Sequence, residues 1–169
     1  MHIYIATGWV DVRHNRSMKK RSAGILLYRM RGDALEVLLA HPGGPLWRNR
    51  DVGAWSIPKG EYDDEPAEHA ARREFREEVG VAVHGELTPL GEIRQKSGKI
   101  VTAFAAEGDF EVDRLVSNTF EMEWPPRSGR KQSFPEIDRV QWMRIEAARP
   151  MLLSAQVPLL DALQEIVGK

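Results

Sequence analysis

The sequence predicts a single α/β domain of the α+β type, in which helices pack on a mixed β-sheet. The length of 169 residues suits one hydrophobic core. Short apolar runs bounded by Gly, Pro, Asn and Asp follow one another along most of the chain, as expected for strands. Helical periodicity occurs in one early segment, after Pro66, and in one segment near the C-terminus.

The composition argues against several classes of partner and of site. Lys and Arg number 24 and Asp and Glu 25, so a formal charge of −1 gives no field favouring a nucleic acid polymer or an anionic membrane. No apolar run approaches the ~20 residues of a membrane span, and the opening segment lacks the form of a secretory signal. With no cysteine, disulfides and thiolate sites are excluded, and we expect a cytoplasmic protein.

Strands are predicted on both sides of the early helix. Before it, residues 22–30 and 34–41 flank the turn "RGD", residues 42–53 form a loop, and residues 54–58 form a short strand. After it, the predicted strands cover residues 81–87, 90–95, 99–110, 117–124 and 139–144. The segments between them form a hairpin turn at 96–99 and a loop at 125–136.

The two helices are predicted from periodicity and end signals. In the early helix Pro66 suits the first turn, Asp64 or Glu65 can cap the start, and Gly80 suits the position after the end. The apolar spacing of residues 157–167 predicts a closing amphipathic helix.

Three carboxylates of the early helix fall within an arc of about 100°. They belong to Glu74, Glu77 and Glu78, and they lie beside the stripe that faces the core. Neighbouring carboxylates repel one another, and hard cations with a preference for oxygen ligands relieve the repulsion. Arg73, four residues before Glu77, can pair with it. A solvated helix would explain each feature alone, whereas the combination favours a Mg²⁺ or Mn²⁺ site.

The segment "REFREEVGV" resembles the signature box of Nudix hydrolases. The residues that match fixed positions of this box are Arg73, Glu74, Glu77, Glu78 and Gly80. The upstream stretch "WSIPKGEYDD" is similar to the strand and loop that precede the box in many members. The resemblance implies a Nudix-type α/β/α sandwich with a central mixed sheet over residues 21–169, with residues 1–20 as an extension of unknown role.

The resemblance implies hydrolysis of a nucleoside diphosphate linked to another group, by attack of water on phosphorus with Mg²⁺ or Mn²⁺. The implied metal-site residues are Gly60, Glu74, Glu77 and Glu78. Arg73 and Glu77 are implied in catalysis, Glu65 supports them, and a later glutamate acts as base. For this base we choose Glu136, six residues before Trp142, over Glu121 and Glu123.

One departure from the family pattern concerns the loop before the helix. Only four residues separate Gly60 from Glu65, where the box has five. The missing residue leaves the register of the helix carboxylates unchanged. It can displace the Gly60 carbonyl by up to about 3.8 Å, one chain step.

Three further residues are predicted to bind substrate: Lys59, Trp47 and Arg94. Lys59 and Arg94 suit phosphate groups, and the loop residue Trp47 suits stacking on a base. The expected substrate is a small nucleotide, either a nucleoside triphosphate or a dinucleoside polyphosphate. An ADP-sugar pyrophosphatase and a non-catalytic nucleotide-binding regulatory module stay open as alternatives, and so does a homodimer. His41, His69 and His84 receive no catalytic or metal role.

Overall fold

The computed structural model of the protein describes residues 2–5, 8–11 and 20–168. The strands are β1 (His2–Ile5), β2 (Gly8–Asp11), β3 (Arg21–Arg31), β4 (Ala34–Pro42), β5 (Lys59–Glu61), β6 (Thr88–Arg94), β7 (Ile100–Glu107), β8 (Thr119–Glu123), β9 (Lys131–Pro135) and β10 (Ile137–Arg144). The helices are α1 (Ala67–Val79), α2 (Ile145–Met151) and α3 (Pro158–Val167). Single 3₁₀ turns lie at Val112–Arg114 and Ser154–Gln156.

A mixed sheet forms the centre of the fold. Its strands follow the order β10-β4-β3-β7-β6, and β5 pairs with β3. The β3 and β7 strands run parallel, while the other neighbours in this sheet are antiparallel. Two antiparallel pairs, β1 with β2 and β8 with β9, form separate two-stranded sheets.

The helices cover both faces of the sheet, because alternate strand residues point to opposite sides. On one face, α1 buries Ala70, Phe75 and Val79 against residues that include Ile25 of β3. On the other face, α2 and α3 bury a second cluster, which includes Leu26, the neighbour of Ile25 in sequence. This confirms the predicted fold class, an α/β/α sandwich with a central mixed sheet.

The start of α1 differs from the prediction. Pro66 itself occupies the capping position, and neither Asp64 nor Glu65 caps the helix, because no side chain bonds to the free N–H groups there. The predicted end is confirmed, since Gly80 adopts a left-handed conformation with φ 96° and donates its N–H to the Arg76 carbonyl.

Residues 81–87 were predicted as a strand and form irregular extended chain instead. The reason lies in α1, where Arg72 donates to the carbonyl oxygens of Val83 at 2.7 Å and Gly85 at 2.9 Å. These carbonyls therefore obtain hydrogen bonds without a partner strand. Leu87 is buried against the core of the α1 face. The apolar residues of this segment therefore pack against the same core as α1, without pairing with another strand.

Three other predictions need correction. Residues 54–58 form isolated bridges, Ala40 with Ser56 and Trp55 with Leu152, instead of a strand. The predicted loop at 125–136 contains β9, whose mostly exposed side chains give no apolar pattern. Helix α2 was missed because Pro150 lies inside it, and proline usually argues against a helix interior.

Two further expectations concern the N-terminal extension and the possibility of a membrane-spanning helix. The extension predicted at residues 1–20 lies largely outside the described residues, and its role stays a prediction. Within the described ranges, none of the helices has both the length and the apolar character that a bilayer crossing requires.

Candidate active site

Gly60 allows the acidic face of α1 to lie directly against β5. A Cβ atom added to Gly60 would overlap the Glu74 carboxylate, so another residue here would displace it. One turn further along α1, Glu78 accepts a hydrogen bond from the Lys59 backbone N–H at 3.0 Å. The pairing of β5 with β3 fixes this backbone in turn. Gly60 and two helix carboxylates therefore meet, despite the short loop before Glu65.

Arg73 holds three carboxylates together. Its Nε donates to Glu65 Oε1 at 2.9 Å, and its Nη2 contacts the same oxygen. Its Nη1 donates to Glu74 Oε1 at 2.7 Å and to Glu77 Oε2 at 3.4 Å. The hydrogen bond to Glu65 is the main cause that raises the pKa of Arg73 above its ordinary value. The guanidinium thus sets the directions of Glu65, Glu74 and Glu77.

Burial changes the protonation of the groups that lie deepest. It raises the pKa of Glu78 to about 8, although the hydrogen bond from the Lys59 N–H acts in the opposite direction. The pKa of Glu74 is also raised, mainly by burial. For the base Lys59, burial and then the nearby charge of Lys99 lower the pKa. Charge in this part of the protein is therefore costly until an ion of opposite sign compensates it.

A cavity of about 440 Å³ lies in front of these groups. Five carboxylates and two ammonium groups line it, those of Glu61, Glu74, Glu77, Glu78, Glu136, Lys59 and Lys99. All carboxylates and the lysine proposed here from the sequence, apart from the supporting Glu65, thus share one space. We refer to it below as the carboxylate cavity.

A second, smaller cavity of about 230 Å³ adjoins the first and is mostly apolar. Trp47, Ile137 and Leu153 are among the side chains that line it. Lys59, Glu78 and Glu136 line both cavities and form their common wall. The predicted stacking residue Trp47 is therefore a neighbour of the predicted metal-site carboxylates. We call this space the Trp47 cavity.

Backbone hydrogen bonds to the loop before β8 hold Glu136 close to α1. The Glu136 N–H donates to the Asn118 carbonyl at 2.7 Å, and the Asn118 N–H donates to the Glu77 carbonyl at 3.0 Å. Asn118 thus connects the end of α1 to the start of β10. The rival glutamates, Glu121 and Glu123, lie exposed on β8, and neither lines either cavity.

The structure places one predicted substrate residue away from the others. Arg94 is exposed at the end of β6 and lines neither cavity. The structure also adds four residues to the carboxylate cavity that the predicted site lacked: Ser22, Glu61, Lys99 and Asn118. The sequence offered a signal only for Lys99, as one of several cations near a predicted hairpin.

The donors of the carboxylate cavity fit a hard divalent cation by their chemistry. All its charged acceptors are carboxylates, which Mg²⁺ and Mn²⁺ prefer. Within the part of the chain that the structure describes, no three Asp, Glu or His side chains are gathered closely enough to form a metal site. Two of these carboxylates, those of Glu74 and Glu77, accept hydrogen bonds from the same Arg73 Nη1.

A family model described as NUDIX domain matches residues 18–163. No curated protein matches the chain significantly in sequence.

Many solved structures resemble the fold. An Ap4A hydrolase from C. elegans, in a binary complex, has a TM-score of 0.60 at 22% identity, over 87% of this chain and 98% of that one. The NUDIX domain of Shewanella oneidensis NrtR, complexed with ADP ribose, has a TM-score of 0.61 at 15% identity, over 94% and 99%. A mutT/nudix family protein from Listeria innocua has a TM-score of 0.58 at 18% identity, over 88% and 94%. Likeness at these identities shows the fold.

Proposed function

The chain belongs to the Nudix family of hydrolases, and on this premise we propose that it hydrolyses a pyrophosphate bond in a nucleoside diphosphate linked to another group. The observation that carries the proposal is the junction of the two cavities, one lined by five carboxylates and the other by Trp47 and apolar side chains. An anhydride at the junction would lie next to the carboxylates while its nucleoside lies against Trp47.

The cofactor in this proposal is Mg²⁺ or Mn²⁺, held by Glu74, Glu77 and Glu78 next to Gly60. When bound, it would neutralise the pyrophosphate charge and favour attack by water on phosphorus. Arg73 keeps Glu74 and Glu77 oriented through its hydrogen bonds at 2.7 Å and 3.4 Å. Cation binding would be favourable in part because the cation relieves the repulsion among these carboxylates.

We assign the remaining steps to Lys59 and Glu136, which line both cavities. Glu136 accepts a proton from the attacking water, as the base on the side opposite α1. The ammonium group of Lys59 binds a phosphate oxygen of the substrate. The oxygen of the water forms the new bond to phosphorus, and the anhydride P–O bond breaks, with the leaving phosphate carrying its electron pair.

Trp47 is the group that we assign to the nucleoside. Its ring lines an apolar space that can take a flat base, and stacking on an aromatic ring contributes about 1–3 kcal/mol. The proposed substrates are nucleoside triphosphates and dinucleoside polyphosphates. An ADP-sugar is the second candidate, favoured by the structural relative that was solved with ADP ribose. A regulatory module that binds the nucleotide without turnover is the alternative to enzymatic activity.

The experiment that tests the proposal measures product formation with Mg²⁺ or Mn²⁺ from ATP, an oxidised dGTP, diadenosine tetraphosphate and ADP-ribose. We expect cleavage of at least one polyphosphate, and loss of the reaction when the cation is removed. Glu136→Gln should lower kcat about 100-fold, within the range of a general base. The matched control is Glu121→Gln on exposed β8, which should keep full activity. Tight nucleotide binding without any product would support the regulatory module instead.

A further inference from the structure

We infer that Ser22 and Lys99 form a binding site for a phosphate group at the end of the carboxylate cavity away from Trp47. The inference rests on the proposed function and narrows its substrate class to compounds with a phosphate remote from the nucleoside. The linings of the two cavities show where this site lies relative to Trp47. Lys59 and Glu136 line both of them, whereas Ser22 and Lys99 line only the carboxylate cavity. They therefore lie beyond the common wall.

The Ser22 hydroxyl is the first observation. Ser22 is fully buried, and its Oγ has no hydrogen-bond partner in the part of the chain that the structure describes. Strands fix this residue on both sides, since Ser22 stands opposite Glu61 of β5 and Val101 of β7. An unpaired buried hydroxyl costs about 1–3 kcal/mol. The cost disappears when a ligand in the adjoining cavity accepts or donates a hydrogen bond there.

The cations around Ser22 are the second observation. Lys99 Nζ lies 2.9 Å from Glu61 Oε1, and this side chain of Glu61 is 52% exposed. Within the described residues, Lys59 makes no ion pair with a carboxylate, and its side chain lines the same cavity as that of Lys99. An anion between the two lysines would pair with Lys59 and relieve the repulsion. At present the Glu61 carboxylate pairs with Lys99 in place of such an anion. Because the Glu61 side chain is exposed, it can turn into solvent when an anion binds.

The chemistry of this end of the cavity favours phosphate over a sugar. Apart from Gly60, every residue that lines the carboxylate cavity has a polar or charged side chain. A ribose or hexose ring usually needs an apolar face to pack on, which this lining does not offer. Phosphate oxygens instead accept hydrogen bonds from two ammonium groups and one hydroxyl. A substrate with an additional phosphate matches these donors, and an ADP-sugar leaves them without a partner.

The test compares Ser22→Ala and Lys99→Met with Lys96→Met, a matched control on the same hairpin that lines neither cavity. One measurement is calorimetric binding of inorganic tripolyphosphate with Mg²⁺ present. We expect the Kd to rise about tenfold in Lys99→Met and about threefold to tenfold in Ser22→Ala, as for the loss of one hydrogen bond of typical strength. Lys96→Met should bind like the wild type.

The second measurement is steady-state kinetics with ATP and ADP-ribose, together with the melting temperature. Both variants should raise KM for ATP by the same factors, leave kcat within about threefold, and leave ADP-ribose kinetics unchanged. Ser22→Ala should not lower the melting temperature, because it removes an unpaired hydroxyl. A lower melting temperature with unchanged tripolyphosphate binding would assign Ser22 a structural role and overturn the inference.

The two proposals fail in different ways. Wild-type protein that hydrolyses none of the substrates, yet binds tripolyphosphate through Ser22 and Lys99, would contradict the enzymatic proposal alone. Wild-type protein that hydrolyses a polyphosphate, with tripolyphosphate binding unaffected in both variants, would contradict the phosphate site alone.

Discussion

The candidate active site has two walls, and different kinds of contact hold them in place. The first wall is the acidic face of α1, where Arg73 directs Glu65, Glu74 and Glu77, all within eight residues of it in sequence. The second wall carries Trp47 and Glu136. Contacts between distant parts of the chain position this wall, as the hydrogen bond between His41 Nδ1 and Asp138 Oδ1 at 2.8 Å illustrates.

The second wall consists of the loop after β4 and the start of β10. The Gly43 N–H donates to the Glu136 carbonyl at 2.9 Å. His41 is fully buried, and its Nε2 lies 2.5 Å from the Arg50 carbonyl oxygen. Both ring nitrogens of His41 therefore face acceptors, one on β10 and one in the Trp47 loop. The loop and the candidate base are connected through one strand segment, so changes in either should affect the other.

This comparison predicts where substitutions act. On the α1 wall, a single change should alter the charge or the orientation of a carboxylate at the proposed cation site and leave the fold intact. On the second wall, a single change removes a hydrogen bond between distant segments, so it should lower both stability and nucleotide affinity.

The largest effect should come from Glu78→Gln, which removes one negative charge from the proposed cation site. We expect kcat to fall about 10³-fold, equivalent to roughly 4 kcal/mol, because the cation supplies several kcal/mol to phosphoryl transfer. The measurement is the rate of product formation at saturating Mg²⁺, with circular dichroism as a check on folding. Glu123→Gln, on exposed β8, is the control. Full activity of Glu78→Gln in a folded protein would contradict the assignment of the site.

The same residue should make the metal-free protein less stable at alkaline pH. The pKa of Glu78 is raised to about 8, so the folded state keeps a proton that the unfolded chain releases near the ordinary pKa of 4.5. The stability that this proton provides is present in full below pH 4.5 and is lost as the pH rises through 8. We expect the free energy of unfolding to fall by about 5 kcal/mol over this interval.

Urea unfolding at several pH values, with a chelator present, measures this loss. Glu78→Gln should flatten the dependence, leaving the smaller contribution of Glu74, whose pKa is raised in the same direction. Added Mg²⁺ should stabilise the wild type more at high pH than at low pH, because cation binding requires ionised carboxylates. An identical pH dependence in wild type and variant would show that folding does not raise the pKa of Glu78.

A smaller effect should follow from Arg73→Lys. Lysine keeps the charge but cannot reach Glu65, Glu74 and Glu77 at once, since it lacks the planar fork of donors. We expect kcat/KM to fall about 10- to 100-fold, with a higher Mg²⁺ concentration for half-maximal rate. Arg72→Lys is the matched control, because Arg72 bonds to backbone carbonyls on the far side of α1. An equal shift in Mg²⁺ dependence in both variants would argue against an orienting role for Arg73.

The difference between the walls also explains what the sequence could predict. The positions of Glu74, Glu77 and Glu78 follow from helical periodicity, and the resemblance of this segment to a known signature identified Arg73 and Glu65. The strands β3, β4 and β7 were predictable because their buried apolar runs are long. These features depend on residues that are close together in the chain.

Residues whose positions depend on sheet topology were harder to predict. Ser22 and Lys99 meet only because β3 and β7 pair in parallel, with Arg21 opposite Ile100. Asn118 enters the site through backbone hydrogen bonds, for which its side-chain type gives no signal. His41 was set aside as isolated, since its partner Asp138 lies 97 residues away in sequence. Arg94 was chosen for its charge, which says nothing about the direction of the strand that carries it.

The smallest effect concerns the second wall. His41→Phe keeps a ring of similar size beside Trp55, whose ring centre lies 5.1 Å from that of His41, but it removes both hydrogen bonds. We expect the free energy of unfolding to fall by about 1–3 kcal/mol, because the Arg50 carbonyl in the Trp47 loop loses its hydrogen bond to the fully buried His41 ring. The KM for a nucleotide substrate should rise about threefold to tenfold, while kcat falls less, because a looser loop weakens base stacking before it disturbs the α1 carboxylates.

The control for this variant is Arg139→Gln, which breaks the exposed pair between Arg139 Nη2 and Asp51 Oδ1 at 3.1 Å in the same region. An exposed ion pair contributes only about 0–1 kcal/mol, so both stability and KM should stay near wild type. His41→Gln retains one donor and should recover part of the lost affinity. If His41→Phe lowers stability but leaves KM unchanged, the position of Trp47 does not depend on this connection, and the two walls act independently in nucleotide binding.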